Sequence, residues 1–359
     1  MTNQQLTPTA DLQQQYALLL KEYEYEKEMY KEQTERAGIR KKIQQGLCWY
    51  PVESGRSYYN SLNQLVIEVQ RVEDREIEHS FEYGRPVCFF TQQTDGKLRY
   101  LNFSAVISYV QDDRMVVALP SPSALFDLEQ SGTLGVQLYM DETSYKTMMA
   151  ALNEVTRAKG NRLAELREVL LGNVATAQRK LFPIRFPWLN ITQEEAVNHV
   201  LEAKDVAIVH GPPGTGKTTT LVEAIYETLH RENQVLVAAQ SNTAVDWISE
   251  KLVDRGINVL RIGNPTRVND KMLSFTYERR FEAHPDYAEL WSIRKAIRET
   301  QSAKHSSYSD KETARNRLSR LRFRAAELEI KINAELFDEA RVVACTLVGS
   351  ANRLLTGRH

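Results

Sequence analysis

Residues 211–218 read Gly-Pro-Pro-Gly-Thr-Gly-Lys-Thr and fill the pattern G-x-x-x-x-G-K-[ST]. Before them, Asp205-Val-Ala-Ile-Val-His210 is a short apolar run of strand type. After them, Lys217 to Arg231 carries Leu221, Val222, Ile225 and Leu229 at helical spacing. Strand, glycine loop and helix in that order is the context of a phosphate-binding loop, so the chain is expected to bind a nucleoside triphosphate. The residue types follow from the chemistry. Gly211, Gly214 and Gly216 open backbone angles closed to other residues and let N–H groups approach phosphate oxygens. The helix behind the loop turns its positive dipole end to the same oxygens. Lys217 is expected to reach the β- and γ-phosphates, and the Thr218 hydroxyl to ligate Mg²⁺. Pro212, Pro213, Thr215 and Thr219 complete the expected lining of the ATP site.

At 359 residues the chain suits about two or three domains. Its 42% hydrophobic and 26% charged content is that of an ordinary globular protein. The net charge of −1 gives no global basic signature, so any nucleic-acid surface must be local. No apolar stretch is long enough to span a membrane and no signal-peptide pattern opens the chain, so no membrane partner is expected. Cys48, Cys88 and Cys345 are far apart and form no C-x-x-C, which argues against a disulfide framework and against zinc. A reducing, cytoplasmic setting is the expectation. The seven histidines are scattered and read as ordinary surface or core residues.

Working outward from the loop, Thr192-Gln-Glu-Glu195 reads as a capping box that opens a helix. Gln234–Ala239 and Asn258–Ile262 read as strands with a helix from Thr243 to Asp254 between them. Alternating strand and helix predicts a parallel α/β sheet. Val342-Val-Ala-Cys-Thr346 reads as a buried strand returning to that sheet. Between them, residues 285–340 lose the alternation and read as helix. Residues 304–324 hold Lys304, Lys311, Arg315, Arg317, Arg320, Arg322 and Arg324 against Asp310 and Glu312. Arg317, Arg320 and Arg324 share a helical face, which suits either an anion-binding patch or a solvated salt-bridge face.

Towards the N-terminus, residues 11–45 read as one charged helix stopped by Gly46. Residues 47–140 change to short strands. Leu65, Ile67 and Val69 alternate with Val66, Glu68 and Gln70, and Leu134, Val136 and Leu138 alternate with Gly135, Gln137 and Tyr139. Between them lie Val87–Phe90, Leu98–Val110 and Met115–Leu119, with turn signals at Gly84-Arg-Pro86, Asp95-Gly96 and Asp112-Asp113. This spacing predicts a small antiparallel barrel or sandwich. Residues 141–180 return to helix, with a stop at Gly172-Asn173. The expected domains are therefore an N-terminal helix (1–46), a β-barrel (47–140), stalk helices (141–188), a P-loop domain (189–284), a helical insertion (285–340) and a returning strand (341–359).

Four stretches together narrow the P-loop class: Leu189-Asn-Ile-Thr-Gln193-Glu-Glu-Ala-Val197, Ala238-Ala-Gln-Ser241-Asn-Thr-Ala-Val-Asp246, Arg261-Ile-Gly-Asn-Pro-Thr-Arg267 and Val343-Ala-Cys-Thr346-Leu-Val-Gly-Ser350. They resemble the Upf-like branch of superfamily 1 helicases. The absence of a cysteine/histidine-rich zinc module favours the immunoglobulin-mu-binding type within that branch. The resemblance implies an incomplete RecA-like parallel sheet preceded by a small barrel on stalk helices and interrupted by a helical module. It also implies ATP and Mg²⁺ as cofactors and single-stranded RNA or DNA as partner, with 5′-to-3′ movement; oligomeric state is not implied. Gln193 then matches the Q motif, whose amide presents donor and acceptor to the adenine edge. The alternative is a surface glutamine in a capped helix. Ser241, Asn242 and Thr243 match motif Ia and Thr346 motif Ic, where hydroxyls and backbone N–H groups meet strand phosphates. Helix capping is a compatible second role for the Ser241–Thr243 segment. Arg261 and Arg267 are expected to add charge.

The family's Asp-Glu pair and second RecA-like domain do not appear before His359, so this chain is expected to be the N-terminal part of the enzyme, with poor turnover. Gln137-Leu-Tyr-Met-Asp141-Glu142 imitates the acidic strand ending but precedes the loop, and Asp141 reads better as a helix cap. A P-loop ATPase that does not act on nucleic acid, and a non-catalytic nucleotide- or strand-binding module, are the competing readings.

Overall fold

Alternation of apolar and polar residues in the strands from Leu65 to Leu138 is resolved by closure of a barrel, which leaves no strand edge unpaired. The computed structural model describes residues 8–93, 96–263, 270–303 and 308–357. It divides into two compact units, Met1–Asn153 and Glu154–His359.

In the first unit, α1 (Pro8–Tyr30), a π-helical turn (Lys31–Glu35) and α2 (Ile39–Gln44) precede the strands. The single helix expected over 11–45 is thus broken. Thr34, buried, turns its hydroxyl back onto the Tyr30 carbonyl at 2.5 Å, a local bond that competes with the helical ladder. Gly46 then ends α2 with φ of 70°, as expected of a helix stop. Next come β1 (Cys48–Tyr59), β2 (Leu65–Arg71), β3 (Pro86–Gln92), β4 (Leu98–Gln111), β5 (Arg114–Ala118), α3 (Pro122–Glu129) and β6 (Leu134–Leu138). The barrel closes in the order β1-β2-β5-β4-β3-β6, every pair antiparallel. The turns at Gly84 and Asp112 carry left-handed angles, as their residue types suggested; Asp95 lies outside the described residues. The first strand was not legible, because Pro51, Gly55 and two register shifts interrupt its alternation.

Ile67, Val69, Val87, Phe89, Ile107, Met115, Val117 and Val136 fill the interior. Each contributes roughly 1.5–3 kcal/mol by leaving water. The outside of β1, β3 and β6 is also buried, because α2 covers it. Ile43, Cys48 and Phe90 form a second small core there. Lys42 Nζ donates to Gln137 Oε1 at 2.9 Å and to the Tyr100 hydroxyl at 3.2 Å, giving this buried patch its polar centre. Gly135 faces Phe90 across the β3–β6 ladder, and a Cβ built on it would stand 2.3 Å from the Phe90 ring. The glycine is there because the ring occupies the space of its side chain. Asp141 accepts from the Thr143 N–H and the Ser144 hydroxyl, both at 3.0 Å, so it is a cap at the start of α4 (Glu142–Arg157). Glu142 pairs with Lys146 at 2.7 Å, which with the burial opposing it leaves its pKa lowered.

In the second unit, α5 (Arg162–Leu170), α6 (Ile191–Glu202), α7 (Lys217–Thr228), β7 (Val235–Ala239), α8 (Asn242–Asp254) and β8 (Val259–Arg261) follow. Then come α9 (Asp270–Leu273), α10 (Tyr277–Ala283), α11 (Tyr287–Ser302), α12 (Tyr308–Glu339) and β9 (Val342–Thr346). The sheet is parallel in the order β7-β9-β8, with the last strand in the middle. Val222, Ile225, Val245, Leu252, Val259 and Val342 form its core. The strand expected at Asp205–His210 is not one: no residue of 206–210 pairs with a strand among the described residues, and Ile208 is 85% exposed. Apolar composition alone supplies no ladder; a strand needs a hydrogen-bonded neighbour.

The close approach at Gly135 gives a direct check. Gly135→Ala is expected to lower barrel stability by about 1–3 kcal/mol through overpacking against Phe90. Gly132→Ala, where a Cβ meets nothing within 4 Å, is expected to stay near wild type in the same urea titration.

Candidate nucleotide-binding site

The loop before α7 is shaped by two left-handed glycines. Gly214 has φ of 82°, and Gly216, the N-cap of α7, has φ of 80°. Any L side chain at either position is strained. Gly211 is constrained by space instead: a Cβ there would lie 2.8 Å from Thr215 Oγ1. Thr215 donates its hydroxyl to the Pro212 carbonyl at 2.8 Å and so braces the turn. Lys217 folds over the same turn, with Nζ donating to the Gly211 and Pro212 carbonyls at 2.6 and 2.7 Å. It has no carboxylate partner among the described residues. Two neutral carbonyls hold an ammonium more weakly than phosphate oxygens do, so this cation is poised to exchange them. Pro212, Pro213 and Thr219 are exposed around it and Thr218 is half-buried in the first turn. The Thr218 and Thr219 hydroxyls bond to none of the described residues. Hydroxyl, ammonium and helix start make a set that suits a Mg²⁺-bound polyphosphate.

Gln193 has a different geometry from the one expected of a base-reading amide. The capping box is not Thr192–Glu195 but Asn190–Gln193. Asn190 Oδ1 accepts from the Gln193 N–H at 2.9 Å, and Gln193 Oε1 accepts from the Asn190 N–H at 3.1 Å. Asparagine is at least as good an N-cap as threonine, and Thr192 merely donates to the same Oδ1 at 2.8 Å. The other end of the amide, Nε2, donates to the Thr215 carbonyl at 3.2 Å. Gln193 therefore ties the start of α6 to the phosphate loop. Its Nε2 would stand 2.5 Å from a Cβ on Gly216, a second reason for glycine at that position.

The residues expected to meet a strand gather at one edge of the sheet. Ala239, at the end of β7, is in register with Thr346, at the end of β9, and the Leu347 N–H donates to the Ala239 carbonyl at 2.9 Å. Ser241 caps α8 by accepting from the Ala244 N–H at 3.2 Å, which gives the capping role to Ser241 rather than Thr243. Thr243 is exposed in the first turn. Thr346 Oγ1 accepts from the Gly349 N–H at 3.0 Å and orders the turn that follows.

Arg261 is not at that surface. It is fully buried, and its Nε donates to Asp246 at 2.7 Å while its other nitrogens bond Asn242 Oδ1 at 2.9 Å and the Ile262 carbonyl. A strand as apolar as β8 can hold the guanidinium only because α8 supplies a buried carboxylate. Its charge is thus neutralised, and it acts by holding the first turn of α8 to β8. Arg267 lies outside the described residues. A second ion pair, with a buried carboxylate, was also not foreseen. Glu223 on α7 accepts from Arg255 at 2.6 Å and from the Trp188 indole at 2.8 Å. Burial pushes its carboxyl up, but these two donors outweigh that and leave its pKa lowered. A glutamate in the apolar stripe of α7 was the available signal.

Residues 188–359 match the family model described as AAA domain. The DNA polymerase alpha-associated DNA helicase A of Schizosaccharomyces pombe is 28% identical over 268 residues, 72% of this chain and 40% of its own length. The chain is a relative of the Upf-like helicases. The DNA-binding protein SMUBP-2 of Rattus norvegicus is 29% identical over 76% of this chain and 28% of its own length. The regulator of nonsense transcripts 1 homolog of Arabidopsis thaliana is 32% identical over 62% of this chain and 17% of its own length. The chain thus spans under half the length of each of these Upf-like relatives.

The buried pair behind the strand edge is open to test. Arg261→Ala, which takes the guanidinium away from the buried Asp246 carboxylate, is expected to cost about 3–5 kcal/mol in urea unfolding. An unchanged midpoint would show that the pair does not organise this edge.

Proposed function

We propose that the chain is the ATP-binding part of an ATP-dependent helicase or translocase that acts on single-stranded RNA or DNA and moves 5′ to 3′. The observation that carries this reading is the loop itself. α7 starts at a left-handed glycine, and an ammonium without a carboxylate partner among the described residues is folded over the turn. The polyphosphate of ATP replaces the two carbonyls on Lys217, and the Thr218 hydroxyl takes a place on Mg²⁺. The helicase relatives and the strand edge at Ser241, Asn242, Thr243 and Thr346 support single-stranded nucleic acid as the second ligand, held by its backbone.

On this reading 189–284 and 341–359 belong to one RecA-like domain, interrupted by the helical module 285–340. Residues 47–140 are an accessory barrel that follows α1 and α2 in sequence and precedes the stalk 141–188. Gln193 first serves the loop; contact of its amide with adenine requires that the bond to Thr215 be exchanged. Lys217 and Thr218 clamp phosphates but neither orients an attacking water, so slow turnover by these residues alone belongs to the same reading. Arg315, Arg317, Arg320 and Arg322 on α12 are exposed and have no ion pair among the described residues, whereas Arg324 is held by Glu289 at 2.9 Å and Glu327 at 2.8 Å. Of Arg317, Arg320 and Arg324 on one face of the helix, only Arg324 is therefore tied into salt bridges among the described residues.

The test is fluorescence anisotropy of labelled single-stranded RNA and DNA, with and without a non-hydrolysable ATP analogue, across a salt series. Salt-sensitive binding is expected, shifted about 5- to 100-fold by the analogue. Binding of nucleotide with no strand bound at any salt would favour a P-loop ATPase that does not act on nucleic acid.

A further inference from the structure

The outward stripe of α8 carries a side chain that the fold does not use. Val245, Ile248 and Leu252 face the core, and Thr243, Trp247 and Lys251 follow one another at i, i+4 and i+8 on the exposed side. Trp247 is 55% exposed, and its ring and indole N–H make no hydrogen bond or ring contact with any described residue. An indole left in water contributes nothing to the core, and aromatic rings are the side chains that recognition surfaces collect. One helical turn, about 6 Å along the axis, separates Trp247 from Thr243. That is within reach of a base whose sugar-phosphate rests at the start of α8.

We infer that Trp247 is a base-stacking platform for the single strand. The inference rests on the strand-binding reading proposed above and adds to it a contact with the bases themselves. Ser241 and Thr243 receive phosphate, the neighbouring base lies on the indole face, and the Lys251 ammonium one turn further meets the next stretch of backbone. Stacking of this kind is tolerant of sequence, because every base has a π-face.

An abasic strand separates this contact from backbone binding. The probe is a labelled single strand of thymidines, paired with a strand of equal length and charge in which every base is missing. Wild type is expected to bind the thymidine strand about 5- to 100-fold more tightly than the abasic one. Trp247→Ala is expected to lose most of that preference while binding the abasic strand as wild type does. Trp247→Phe is expected to keep much of it, with the melting temperature of both variants unchanged. Equal loss on both strands, or Trp247→Ala binding thymidines as wild type does, would overturn the inference. If wild type binds both strands equally, stacking fails and the backbone reading stands. If wild type binds neither strand, both fail together.

Discussion

The second unit turns on the junction at Gly216. A left-handed residue there lets α7 begin immediately behind the loop, and the same missing side chain lets the Gln193 amide lie against the backbone. One amide then joins three things: the cap of α6, the Thr215 carbonyl and the start of α7. Behind this junction α6 and α7 pack through Val197, Leu201 and Ala224. The loop is therefore held by a hydrophobic contact below and a hydrogen bond above. It can present N–H groups to an anion without first having to order itself.

The strand edge is built on another economy. Three parallel strands run side by side, and Ser241, just past the end of β7, and Thr346, the last residue of β9, lie at the same end of the sheet. Their hydroxyls already satisfy backbone N–H groups, which fixes the turns in place. Arg261 reaches from β8 beneath them to Asp246 and Asn242, so a buried ion pair supports the exposed polar residues. Burial of such a pair gives little net stability, but loss of one partner is costly. That makes it a positioning device and not a binding one.

Much of this was legible beforehand, and the exceptions have physical causes. The barrel strands from Leu65 onward, the turns at Gly84 and Asp112 and the return of Val342–Thr346 followed from alternation and turn chemistry. The loop followed from spacing alone. β1 escaped because its bulges break the period of two, and the unpaired run 206–210 misled because apolarity was read as pairing. Arg261 was read as surface charge because residue type says nothing of the carboxylate that waits for it. The bonds of Gln193 to Asn190 and Thr215 were not legible, because they are set by geometry that only the folded loop reveals.

The central claim is that Gly211–Thr219 holds a nucleoside triphosphate by its phosphates. Calorimetric titration with Mg-ATP and with AMP, on wild type and on Lys217→Ala, tests it most directly. The account predicts that wild type binds Mg-ATP well and AMP poorly, and that Lys217→Ala weakens Mg-ATP by about tenfold or more, in line with roughly 1.5–3 kcal/mol for a charge-assisted contact. Equal affinity for ATP and AMP, or a Lys217→Ala variant that binds Mg-ATP as wild type does, would contradict it.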